Sequence, residues 1–174
     1  LTLPAAKFVG KSGRVQAYEP NPTVCSFLRE NVNANRFVNV EIFNAALGDA
    51  SGECKISNLS ADDQNRIVDN SEGVAIPIYE LDEIIKTTSI DLMKIDVEGY
   101  EKFVLLGSLH TLQTTLCLYL ELSDTNYKRF GYEAGEVLAL LEKQGFRLFR
   151  NAGSEQIEPL DQDESFELVC ENII

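Results

Sequence analysis

Three acidic positions in this sequence lie at the carboxyl ends of apolar, strand-like runs, where a folded chain presents side chains to a ligand. The first is Glu19, in Tyr18-Glu19-Pro20-Asn21-Pro22. A carboxylate there can accept two hydrogen bonds from a ribose diol, as acids do in nucleoside and dinucleotide sites. It can equally serve the positive N-terminal end of the following helix. Pro20 and Pro22 stiffen the turn. The second is Asp96-Val97-Glu98-Gly99-Tyr100-Glu101, directly after a strand-like run. Strand alternation puts Asp96 and Glu98 on the same side of an extended segment, and Gly99 lets the backbone turn closely beside a ligand. Two adjacent carboxylates can share a proton, which lifts one of them toward the range useful to a general base. Charge placement at a helix start is the alternative, and Glu101 is expected to enter that helix. The third is Glu121, among Leu116, Leu118, Leu120 and Leu122. A carboxylate in such surroundings must reach solvent, a ligand or a basic partner. Lys94 has the same orientation as Asp96, so a structural pair of Lys94 with either Glu121 or Asp96 competes with the catalytic reading.

Other chemistry finds little support. His110 is the only histidine, which excludes histidine-rich metal sites, argues against a catalytic dyad and leaves it flanking its helix. The G-x-S-x-G, P-loop and H-E-x-x-H patterns are absent, so the common hydrolase, nucleoside-triphosphatase and zinc-protease signatures do not apply, and no metal site is expected.

The elements that must position these acids follow from periodicity and turn residues. Arg14 to Glu19 reads as a strand, and Asn21 caps a helix with Pro22 in its first turn. Val24, Phe27, Leu28 and Val32 share one face of this helix, which should stop around Asn33 to Asn35. Val38 to Ala46 is a second strand, so two strand-helix units fall within the first 50 residues and favour a parallel sheet. Residues 52–78 read as a hairpin-like insertion, with strands at Glu53 to Ser57 and Val74 to Ile78 around a polar loop at Ala61 to Asn70. Leu81, Ile84 and Ile85 mark a short helix, and Ile90 to Val97 is the strongest strand signal. A helical stretch from Glu101 to Gln113, interrupted at Gly107, leads to Leu116 to Leu122, a strand apolar on both faces as in the centre of a covered sheet. Val137, Leu138 and Leu141 mark a last helix ending at Gly145. Phe146 to Phe149 and Phe166 to Cys170 then pair as a closing antiparallel ribbon. The expected fold is α/β, a doubly wound and mostly parallel sheet with an antiparallel closing strand.

The bulk properties narrow the partners. A chain of 174 residues, 44% hydrophobic, fits one domain over residues 1–174. Its 28 acidic and 15 basic side chains give a net charge of −13, which argues against binding nucleic acid or an anionic membrane surface. Apolar runs such as Leu116 to Leu122 are strand-sized, far short of the roughly 20 residues that span a bilayer. Four cysteines without a C-x-x-C pair suggest a reducing cytoplasm. The acidic stretch from Glu155 to Glu164 reads as a solvated loop.

Three segments together resemble the FkbM-type methyltransferases, a branch of the class I S-adenosylmethionine-dependent fold. They are Val15 to Pro22 (V-Q-A-Y-E-P-N-P), Asn44 to Asp49 (N-A-A-L-G-D) and, most specifically, Leu92 to Glu101 (L-M-K-I-D-V-E-G-Y-E). The resemblance runs from about Leu3 to Phe149 and implies a Rossmann-like sheet. It implies that Glu19 holds the ribose hydroxyls of S-adenosylmethionine, that Pro20 and Asn21 lie beside the nucleoside, that Asn44 and Ala45 border the adenine, and that Asp96 faces the reaction centre. The implied reaction is methyl transfer to a hydroxyl oxygen of a sugar or natural-product-like small molecule. Asp96 or Glu98 would accept the hydroxyl proton, and Glu121 would line the same pocket. Members of the family begin with a strand and an acidic, glycine-rich turn that wraps the methionine portion of the cofactor, and nothing before Lys7 supplies them. The domain is therefore expected to be N-terminally incomplete, lacking its first strand and glycine-rich loop, and inactive or poorly stable alone. The competing reading is a catalytically inactive Rossmann-like remnant that acts as a binding or scaffold module. A receiver domain phosphorylated on Asp96 needs an early acidic cluster that is not present, and a nicotinamide-dependent oxidoreductase needs the same missing glycine turn.

Overall fold

In a computed structural model of the chain, which describes residues 1–57, 67, 73–87, 89–151, 157–159 and 166–172, the sequence signals become helices and strands in the expected order. The residues fall into two units, one of Leu1–Leu47 with Ser51–Tyr79, the other of Gly48–Ala50 with Glu80–Ile174.

The first unit starts with helix α1 (Thr2–Val9), strand β1 (Val15–Tyr18) and helix α2 (Pro22–Ala34). Asn21 holds an extended conformation, and its side-chain oxygen accepts the N–H groups of Thr23 at 2.9 Å and Val24 at 3.3 Å. Pro22 fills the first helical position, where a backbone N–H would have no helical acceptor. The helix buries Cys25 and Val32, and its chain returns as β2 (Val40–Phe43), parallel to β1 from Val15↔Val40 to Tyr18↔Phe43. The single strand expected over Val38 to Ala46 is in fact two. Asn44 turns its amide toward the end of β1, and the chain resumes as β3 (Ala46–Leu47) in a different sheet.

That second sheet has the order β3-β5-β4, with β4 at Gly52–Ile56 and β5 at Val74–Tyr79. Strands β4 and β5 are antiparallel, from Gly52↔Ile78 to Ile56↔Val74, and β3 runs parallel to β5. Residues 52–78 thus carry the hairpin pairing expected of them. The polar loop of Ala61 to Asn70 lies outside the described residues except Ile67, which bridges Ile56. Alternation sends Ile76 and Ile78 to the buried side of β5, where Ile56 is also buried.

The second unit contains α3 (Leu81–Ile84), β6 (Ile90–Ile95), α4 (Glu101–Leu106), α5 (Leu109–Leu112) and β7 (Thr115–Leu122). These are followed by α6 (Asp124–Tyr127), a 3-10 turn over Lys128–Phe130, α7 (Ala134–Lys143), β8 (Phe146–Asn151), β9 (Ile157–Pro159) and β10 (Phe166–Asn172). The strand order is β6-β7-β10-β8-β9. Strands β6 and β7 are parallel with α4 and α5 as their crossover, and β10 is antiparallel to both β7 and β8, which makes the closing ribbon. The fold is α/β, with parallel strands joined by helices.

The core of this unit lies on one face of β7. Leu118, Leu120 and Leu122 are buried there, as are Ile95 of β6, Val104 and Leu105 of α4, Leu112 of α5, and Val137 and Leu141 of α7. The other face of β7 carries Cys117, Tyr119 and Glu121, which are half-buried or exposed. Among the described residues, the second face of β7 is thus less buried than the leucine face. Glu121 stands among leucines in sequence, but the pleat turns it away from them.

The helical stretch breaks at Gly107, and α3 secures the break. The N–H of Asp82 donates to the Gly107 carbonyl at 3.0 Å. The Asp82 carboxylate accepts the N–H of His110 at 2.8 Å and both the N–H and the hydroxyl of Thr111 at 2.7 and 2.6 Å. It caps α5 from another helix, a charge-assisted version of an N-cap. Asp82→Ala strands two backbone donors at the start of α5, and a loss of about 2 kcal/mol is expected in urea denaturation. An unchanged midpoint would show that solvent replaces the carboxylate. Among the described residues, no helix is long and apolar enough to cross a membrane.

Candidate active site

In the first unit, Glu19 follows β1 and continues its pairing, its N–H donating to the Phe43 carbonyl at 2.9 Å. Its side-chain Oε1 accepts the Asn21 N–H at 2.8 Å. Asn44, after β2, spends its two amide hydrogens on the carbonyls of Glu19 at 2.8 Å and Pro20 at 2.9 Å. The Glu19-Pro20-Asn21 turn is thus fixed from within by a carboxylate and from the neighbouring strand by an amide. Asn21 and Ala45 are both buried, and the Asn21 side-chain oxygen is engaged in capping α2. Glu19, Pro20, Asn21 and Asn44 are brought together at the carboxyl ends of two parallel strands. At the same ends the rings of Tyr18 and Phe43 stack, with centroids 4.8 Å apart. Burial, and then the charge of Glu41, push the Tyr18 phenol up from its ordinary value.

In the second unit, β6 stops at Ile95 and the chain reverses over the next residues. The Tyr100 N–H donates to the Val97 carbonyl at 3.2 Å, and the two residues between have positive φ, 53° at Glu98 and 100° at Gly99. Asp96 and Glu98 are therefore not related by alternation along an extended segment, because the strand ends before either of them and Glu98 sits in a left-handed turn. A left-handed glutamate costs of order 1 kcal/mol and persists only where its surroundings hold it. Asn126 of α6 does so, its Nδ2 donating to Glu98 Oε2 at 3.2 Å. Gly99 is needed both for its positive φ and for space: a Cβ there would lie 2.8 Å from the Asn126 carbonyl oxygen. Lys94 forms an ion pair with Asp96, which decides between its two expected partners. Glu121 is exposed, and its backbone carbonyl, not its carboxylate, accepts the Tyr127 hydroxyl at 2.8 Å.

The residue that sequence reasoning passed over is Glu101. It is the first residue of α4, yet only 2% of its surface is exposed, and its side chain folds back so that Oε1 accepts the Val97 N–H at 3.2 Å. Its Oε2 is buried with no hydrogen-bond partner among the described residues. Burial pushes its carboxyl up to about 7; backbone N–H groups of Glu101, Val97 and Gly99 oppose the shift, and the Asp96 charge adds to it. Tyr127 and Tyr132 stack nearby with centroids 4.7 Å apart, and burial raises both phenols, with the Glu101 charge contributing. The Tyr132 hydroxyl donates to the Gly99 carbonyl at 2.7 Å. Lys102, the next residue, pairs with Glu136 of α7 at 2.7 Å and lies over the Tyr132 ring. The available signal was the four-residue spacing from Val97 to Glu101 across a glycine, which lets a first-turn glutamate reach back over the turn.

The sequence matches the family described as the methyltransferase FkbM domain over residues 1–148. No curated protein matches it. Among solved structures, the fold is similar to that of the methyltransferase FkbM from Methylobacillus flagellatus KT, with a TM-score of 0.53 and 16% sequence identity. The similarity covers 91% of this chain and 36% of that one, so this chain spans little more than a third of that protein's length.

Proposed function

Because this chain belongs to the FkbM methyltransferase family, we propose that it serves S-adenosylmethionine-dependent transfer of a methyl group to a hydroxyl oxygen of a sugar or natural-product-like small molecule. The observation that carries this reading is the fixed Glu19-Pro20-Asn21 turn with Asn44 bonded across it. A carboxylate held in place at the end of a parallel strand suits a ligand that offers a ribose diol. The donor set therefore fits the family's cofactor. Glu19 would receive the ribose hydroxyls, Pro20 and Asn21 would shape the nucleoside side, and Asn44 and Ala45 would border the adenine.

The cofactor, when bound, supplies a methyl group already activated on a sulfonium. What remains for the chain is alignment of the acceptor and removal of its proton. Asp96, or Glu98 in its left-handed turn, takes the hydroxyl proton, and Glu121 lines the acceptor side. Lys94 and Asn126 limit the directions in which the first two carboxylates can point.

Titration calorimetry with S-adenosylmethionine tests the nucleoside assignment. The full chain should bind, and Glu19→Ala should bind roughly tenfold to a hundredfold more weakly, the loss of one bidentate charge-assisted contact. Turnover against a panel of sugar hydroxyls, followed by release of S-adenosylhomocysteine, tests the proton acceptors. Asp96→Asn or Glu98→Gln should lower it about a hundredfold. A chain that binds no cofactor would instead be a Rossmann-like binding module.

A further inference from the structure

We propose that Glu101 is the positioning residue of the Asp96 to Gly99 turn, its buried carboxyl setting where Asp96 and Glu98 point according to whether it holds a proton. The proposal rests on the reading of that turn as the acceptor side of a methyltransferase site.

Besides the bond from the Tyr100 N–H to the Val97 carbonyl, three side-chain contacts among the described residues hold the reversal after β6. Glu101 Oε1 accepts the Val97 N–H, the Tyr132 hydroxyl donates to the Gly99 carbonyl, and the Asn126 amide donates to the Glu98 carboxylate. Glu101 alone among the three holding groups is ionisable near neutrality, and it is also the first residue of α4, so its side chain ties the turn to a helix whose Val104 and Leu105 are buried. A glutamine at this position would offer the same acceptor oxygen to Val97 without the penalty of burying a charge. The carboxyl adds one capability, a proton that can leave. In the neutral form the buried Oε2 places no charge next to Asp96. In the ionised form Oε1 becomes a stronger acceptor for Val97, and a second negative charge stands near Asp96. Among the described residues, the groups coupled to Glu101 are Asp96 on the preceding segment, itself paired with Lys94, Tyr127 of α6 and Tyr132 ahead of α7. Glu121 acts on Tyr127, and Glu136 with its partner Lys102 acts on Tyr132. Both phenols are pushed well above the ordinary tyrosine range, so the proton exchanged near neutral pH belongs to Glu101.

The test is an NMR titration of the full chain combined with calorimetry. The amides of Val97 and Gly99 and the carboxyl carbons of Asp96 and Glu98 should shift together with a midpoint of about 7. That step should vanish in Glu101→Gln. At low pH, where Glu101 is neutral, Glu101→Gln should bind S-adenosylmethionine within about twofold of the wild type, and Glu101→Ala at least about tenfold more weakly. If the step with a midpoint of about 7 in the Val97 and Gly99 amides and in the Asp96 and Glu98 signals persists unchanged in Glu101→Gln, the proposal is overturned. It is equally overturned if Glu101→Gln binds as weakly as Glu101→Ala, or if Glu101→Ala binds like the wild type. Should Glu101→Ala fail to fold, the titration of wild type against Glu101→Gln decides alone. Should the wild type bind no S-adenosylmethionine, the methyltransferase reading fails, and the same titration still decides whether Glu101 governs the turn.

Discussion

Gly107→Ala is expected to unfold the second unit. A Cβ built on Gly107 would lie 1.9 Å from the Gly48 carbonyl oxygen and 2.9 Å from its carbon. The obstacle is backbone, so no side-chain rotation can relieve it. Gly107 has φ −80°, which any residue adopts, so the requirement is for space and not for conformational freedom. Moving the chain at this point also breaks the bond from the Asp82 N–H to the Gly107 carbonyl and displaces the carboxylate that caps α5. Ordinary overpacking costs 1–3 kcal/mol, but a clash between two backbones places this case at about 4 kcal/mol or more. Urea denaturation followed by circular dichroism should show no folded baseline for α4, α5 and the sheet they cover. A variant with the wild-type midpoint would mean that Gly48 moves aside freely.

The second large effect concerns pH. A buried acid whose carboxyl is pushed up to about 7, against an ordinary 4.5, keeps its proton in the folded chain after the unfolded chain has released it. The folded state then binds more protons, so stability falls as pH rises between those two values and levels off above them. The size is about 3 kcal/mol for Glu101, an order-of-magnitude figure from the linkage of proton binding to folding. Glu101→Gln should remove this slope. Above neutral pH it should therefore be more stable than the wild type by roughly that amount, and below about pH 5 nearly equal to it. Urea midpoints for both proteins at the two pH values make the comparison, in which the other titrating groups cancel. Parallel slopes would show that Glu101 does not carry the buried proton.

The secondary structure was largely legible in the sequence because its signals are local. Asn21 and Pro22 announce a helix start, Gly99 and Gly107 announce breaks, and the apolar run marks Ile90 to Val97 as a strand, two residues longer than the β6 that forms. What was not legible depends on partners far along the chain. Nothing local says that Asn44 will leave the strand to bond Glu19 and Pro20, or that Ala46 and Leu47 will pair with β5 instead. Nothing local shows that Cys117, Tyr119 and Glu121 are half-buried or exposed while Leu118, Leu120 and Leu122 are buried, because coverage depends on elements distant in sequence. Lys94 had two partners open to it, and only the chain path chose Asp96. Glu101 enters the helix as expected, but its burial is not a local signal. An acid at a helix start normally faces water, and here the left-handed turn at Glu98 and Gly99 brings the backbone round to meet it.

The pair of bonds from Asn44 also determines which insertions and deletions the first unit can absorb. They depend on β2 delivering position 44 level with the end of β1, as Tyr18↔Phe43 pairing does. Extra residues in the connection between α2 and β2 leave that delivery intact. Removing one residue from Val40–Phe43 shifts the register by one, turns every side chain of β2 to the opposite face, and carries the amide away from Glu19 and Pro20. Length can therefore vary ahead of Asn39, whose amide bonds the Ala6 and Gly10 carbonyls and whose own carbonyl accepts the Val15 N–H, but not within β2.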